Sequence, residues 1–226
     1  MPDFTREQFR QVRVARDRAV RACRIGYFRF HSYMNSNSSQ HSRMIENALY
    51  DTFFFTVRND RSNINVRQVY ARDCNVILRK LHSLKLHSPR YEAQWHAADI
   101  DGHDIVYEDH TTDSGQCGPR NFRNEAYSYN GTYDWNDNGY NPGGIDTNIH
   151  ICPSFFDFTT QRQQVHTIIH ELCHTILGFG ILEQNRDVYR DDFNLDPFND
   201  LSIAASLRTP DKYAYFILAI SGLFSR

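Results

Sequence analysis

An α+β domain is the fold class this sequence predicts, on three observations. The first quarter repeats apolar residues at helical spacing. A middle region carries short β-rich segments bounded by turn residues. Helical patterning then returns and runs to the end. Helices, a few strands and helices again is the order of a domain in which helices and a small sheet segregate. A chain of 226 residues fits one domain of the larger single-core kind. Residues 1–226 are therefore expected to form one unit, helical over 1–90, with strands and further helices over 91–226.

The elements follow in order. Phe9, Val12, Arg16, Ala19, Cys23 and Tyr27 recur at three- and four-residue steps, which predicts a first helix. Arg6, Arg10, Arg13, Arg18, Arg21 and Arg24 fill the rest of that stretch and read as a solvated face. A second helix is expected over Ser42 to Val57, ending in Phe53-Phe54-Phe55, and a third over Val66 to Leu84. After Pro89 the pattern changes. Asp104 to Tyr107, Ala126 to Tyr129 and Asn148 to Cys152 read as strands of a small, mostly antiparallel sheet. Asn130 to Asp146, rich in Gly, Asn, Asp and Tyr, is the most loop-like region. Helix returns over Thr160 to Leu177, Leu201 to Leu207 and Lys212 to Leu223.

Composition narrows the function classes. Hydrophobic residues make up 40% and charged residues 23%, which excludes a disordered, charge-dominated chain. Lys+Arg 25 against Asp+Glu 27 gives a net charge of -2, so a basic nucleic-acid binder is not expected. No stretch is apolar enough to span a membrane, and no membrane partner is expected. The 11 His and the odd count of 5 Cys raise the expectation of a metal.

The strongest local signal is His170-Glu171-Leu172-Cys173-His174. Residues four apart on a helix lie on one face, so the two imidazoles can hold one zinc. Glu171, beside the first ligand, can act as general base on a water. The expected number of chance matches in a chain of this composition is roughly 0.02. The context supports a helix. Thr160 with Gln163 forms a candidate capping box, Val165, Ile168, Ile169, Leu172, Ile176 and Leu177 are apolar, and Gly178 stands where a C-terminal cap would be.

A zinc hydrolase needs three protein ligands and one open position. His166 continues the four-residue series, but it lies about 12 Å along the helix axis from His174, too far to share one ion. It is expected to pack or to support the ligands. Gly178 is four residues after His174 and no His follows, so a third His ligand downstream is excluded. The remaining candidates are Glu183, Asp187, Asp191, Asp192, Asp196, Asp200 and Asp211.

At this point the chain resembles the aspzincins, the deuterolysin and peptidyl-Lys metalloendopeptidase family, over roughly residues 104–220. The matching pieces, in order, are Ala126 to Tyr129, Ile149 to Phe156, the motif itself, Asp187 with Tyr189, and Asp211 to Phe216. The resemblance implies a zincin-like domain and a zinc-dependent endopeptidase. It implies Asp187 as third ligand, because the family's ligand Asp and C-terminal Asp stand about two dozen residues apart and here 211 − 187 = 24. It implies a carbonyl-polarising group at Tyr189 or Arg190, since the family Tyr lies one position further on than Tyr189 does here. Asn185-Arg186 replaces the family's Gly-Thr. It implies that Asp211 binds a basic primed-side residue of the substrate. Ala214 replaces the family's Glu at that subsite, which weakens strict lysine selectivity. Asp211 equally suits a first-turn helix carboxylate.

The expected partner is a protein or peptide substrate and the expected cofactor one Zn²⁺, on a monomer. The strand from Asn148 to Cys152 suits either of two roles, an edge that pairs with an extended substrate or a plain core strand. A second function class is a zinc-binding or host-interacting protein on a degenerate metallopeptidase fold, against which the intact Glu171 argues. The resemblance further implies a Cys117–Cys152 bridge. The sequence does not assign a pairing of Cys23 with Cys74, and Cys173 reads as a small buried apolar residue. The start, Met1-Pro2-Asp3-Phe4, has no leader pattern, so the expectation is either a protein that stays inside the cell or a secreted one whose leader and pro-segment were removed. The sequons at Asn37 and Asn130 weakly favour secretion.

Overall fold

The computed structural model describes residues 5–35, 41–54, 66–97, 105–107, 126–128, 133–134, 139–140, 149–152, 154–157, 160–179 and 201–224. The helices are α1 (Arg6–Asn35), α2 (Ser42–Thr52), α3 (Val66–Val69), α4 (Ala71–Ala97), α5 (Ser154–Asp157), α6 (Gln161–Leu177), α7 (Ile203–Ser206) and α8 (Pro210–Ser221). The strands are β1 (Ile105–Tyr107), β2 (Ala126–Ser128), β3 (Tyr133–Asp134), β4 (Gly139–Tyr140) and β5 (Ile149–Ile151).

The α+β expectation is corrected. The described residues are mostly helical, and the fold is not organised on a sheet. The strand segments found are two or three residues long. They are far below the five or six residues of an ordinary strand, so they cannot bury an apolar layer of their own. Nor is the pairing mostly antiparallel: β5 lies between β1, which runs parallel to it, and β2, which runs antiparallel. The alternative of β5 as a substrate-pairing edge falls with this. Both of its sides are already paired, and Ile149 and Ile151 are fully buried.

The core is helix against helix. α6 packs on α1, α4 and α8, and α1 also packs on α4 and α8. The reason lies in α6, where every residue from Gln164 to Leu177 except His166 is buried. A helix buried on nearly all sides needs helices around it. α1 supplies Ala15, Ala19, Ala22 and Gly26, whose small side chains permit close approach; a Cβ on Gly26 would lie 3.6 Å from Ile217 and Ile220 of α8. Phe30, Phe53, Tyr213 and Phe216 join α1, the end of α2 and α8 through edge-on ring contacts at 5.2–5.4 Å between centroids. Of the eight arginines of α1, Arg6, Arg10, Arg13, Arg18, Arg21 and Arg24 are exposed, as a solvated face requires, whereas Arg16 is buried and Arg29 half-buried.

Candidate metal centre

The helix that carries the motif is defined at both ends. Thr160 is the N-cap: its hydroxyl accepts from the Gln163 backbone N–H at 3.3 Å, and its own N–H donates to the Gln163 side chain at 2.8 Å. This reciprocal pair satisfies two of the helix's open donors. Gly178 ends the helix in the left-handed region, at φ 61°, and its N–H donates to the His174 carbonyl. That reversal brings the next residue, Phe179, back over the last turn.

The consequence is chemical. Nδ1 of His174 lies 2.6 Å from the Phe179 carbonyl oxygen. A carbonyl can only accept, so the proton sits on Nδ1 of a neutral His174 and Nε2 carries a lone pair. Nδ1 of His170 lies 3.4 Å from Oδ1 of Asp211, a carboxylate that also attracts a proton to that nitrogen. The contact is close but off the ideal hydrogen-bond direction. The two Nε2 atoms stand 3.1 Å apart, as a hydrogen bond between the rings or, with His170 protonated at Nδ1, as two lone pairs aimed at one point. Two lone pairs at that distance repel unless a cation stands between them. Zinc–nitrogen bonds of about 2.0–2.1 Å at a tetrahedral angle separate two nitrogens by about 3.3 Å. The two imidazoles therefore fit a zinc ion.

His170 and His174 are 3% and 5% exposed, and Glu171 between them is 5% exposed. Among the described residues no group of three His, Cys, Asp or Glu side chains completes a metal site. Asp187, Tyr189, Arg190 and Glu183 lie outside the described residues, as do Cys117 and both sequons.

Asp211 is in the first turn of α8 and is 1% exposed. Its Oδ1 is 3.0 Å from Nε2 of His166 and, as above, near Nδ1 of His170. Burial would raise its pKa, but the adjoining His166 and His170 outweigh burial and hold it well below the usual carboxylate range. His166 thus pairs with Asp211, and its ring lies 4.4 Å from that of Tyr215. Sequence reasoning missed the Phe179 carbonyl, although the helix-ending Gly178 was a signal for it. It also missed buried Lys80, whose ammonium stands 4.9 Å from the Phe179 ring.

Cys152 is disulfide-bonded, whereas Cys23 and Cys74, whose pairing the sequence leaves open, are buried free thiols. Cys173 is likewise free and fully buried. No helix is long and apolar enough to cross a membrane among the described residues. No family model, curated protein or solved structure matches the chain.

Proposed function

We propose that the protein is a zinc-dependent endopeptidase. The observation that carries this is the pair of Nε2 atoms 3.1 Å apart, each on a ring whose Nδ1 faces a fixed oxygen acceptor. A single histidine pair on a surface helix has no need of two such acceptors. Zinc, when bound, would supply Lewis-acid polarisation of the peptide carbonyl and of the attacking water.

His170 and His174 would hold the ion, with Asp187 as the third ligand on the strength of the resemblance. Glu171, one residue from His170 on a buried turn, accepts a proton from the water as its oxygen bonds to the scissile carbonyl carbon. It then delivers that proton to the amine as the carbon–nitrogen bond breaks, so the residue ends as it began. Tyr189 or Arg190 donates to the oxygen that gains charge. Burial of the motif keeps bulk water from competing for these contacts.

The test uses purified, zinc-loaded protein and casein or a lysine-rich peptide. Cleavage by the unaltered protein is expected, together with near-stoichiometric zinc. Glu171→Gln should keep the zinc and lose turnover by about 10²–10⁴-fold. Retained turnover in that variant sinks the general-base role. A zinc-loaded wild type that cuts nothing would mark the protein as a zinc binder without catalysis.

A further inference from the structure

Asp211 has a second role open to it besides contact with a substrate side chain, and three observations bear on the choice. It is 1% exposed, so it presents almost no surface to a peptide. Its Oδ1 faces two imidazoles, Nε2 of His166 at 3.0 Å and Nδ1 of His170 at 3.4 Å. The second contact is to the nitrogen of His170 that does not face His174, because the Nε2 atoms of those two rings meet at 3.1 Å.

We propose that Asp211 is a positioning residue of the metal centre, its carboxylate holding the Nδ1 proton of His170 so that Nε2 is presented to zinc, with His166 anchoring the same oxygen from the other side. This rests on the zinc reading above. A carboxylate behind a ligand histidine fixes its tautomer and ring orientation and raises its basicity. The fold gives Asp211 the place for it. Pro210 and Asp211 open α8, which packs along α6, so the first turn of one helix meets the middle of the other. The carboxylate also lies at the positive end of the α8 dipole, which favours its ionised form. The two ligand histidines are thus held in the same sense by different means, His174 by a backbone carbonyl and His170 by a side chain.

The experiment measures zinc affinity by competition with a chromogenic chelator, on wild type and Asp211→Asn, with thermal unfolding of the metal-free forms as a fold control. Affinity is expected to fall about 10–100-fold in the variant. A second measurement needs no variant: histidine-selective ¹⁵N NMR of the wild type should find His170 protonated at Nδ1. His170 protonated at Nε2 instead overturns the proposal. So does a folded Asp211→Asn protein that binds zinc as tightly as wild type, above all if its cleavage preference shifts away from basic residues, as a substrate-binding Asp211 requires. If wild type itself binds no zinc, the zinc reading falls first and this proposal with it.

Discussion

A histidine offers a metal only the nitrogen that its other partner leaves free. The spacing of His170 and His174 was legible in the sequence because four residues make one helical turn, a local property. What holds the rings was not. The acceptor for His174 is a backbone carbonyl, which no side-chain identity reveals, and the neighbour of His170 is 211 − 170 = 41 residues away. The third ligand belongs to the same scale. Asp187 rests on register with the C-terminal Asp, and Glu183 is its closest competitor upstream in sequence. Asp187→Ala should cost more zinc affinity than the about 10–100-fold of an outer-shell change, because a direct ligand is lost. Glu183→Ala should bind normally. Metal analysis after dialysis reads both, and the reverse pattern shifts the register by four residues.

At the scale of the element, α6 was the most legible part of the molecule, since its capping box, apolar residues and terminal glycine all lie within one stretch. The strands were less so. Ile149 to Ile151 has the β-branched composition of a strand, but composition says nothing about which neighbours pair with it. α4 shows the opposite limit: it continues through Pro89 to Ala97, past the residue where the sequence pattern changes. Pro89 is on an exposed side, where the carbonyl left without a helical donor can meet water. The two ends of α6 can be separated experimentally. Thr160→Ala removes the N-cap and should cost about 1 kcal/mol of stability with zinc affinity unchanged. Gly178→Ala forces a Cβ into left-handed backbone at φ 61°. It should cost about 1 kcal/mol as well, but it also disturbs the turn that sets the Phe179 carbonyl on His174, so zinc affinity should fall too. Denaturant unfolding and chelator competition on the two variants check this. Equal zinc affinity in both would show that the cap does not position the ligand.

For the whole molecule, the helical core dictates how stability responds to alkaline pH. Burial raises the Cys23 and Cys74 thiols to about 12 from 9.0. Cys173, Tyr33 and Tyr213 are also raised, burial again being the first cause. A group whose folded pKa lies above its unfolded value stabilises fully below the unfolded value, and that contribution is lost as pH rises through the folded one. The unfolded thiols release protons from about pH 9 while the folded ones retain them. Each thiol therefore lowers the unfolding free energy by about 1.4 kcal/mol per pH unit across that window. Lys80 acts in the other direction: burial lowers its pKa from 10.5 to about 8, so its charged form is a penalty that is relieved as pH rises over that range. One lysine against several thiols and phenols leaves the sum unfavourable. Stability should hold near pH 8 and decline steeply above pH 9, with the decline shallower in Cys23→Ala and Cys74→Ala once their lower baseline is subtracted. Lys80→Met should make the onset sharper, because the opposing contribution is gone. Urea unfolding at half-unit steps from pH 7 to 11, under argon to keep the thiols reduced, reads the slope directly. A flat profile above pH 9 would mean that these thiols are not sealed in a helical core.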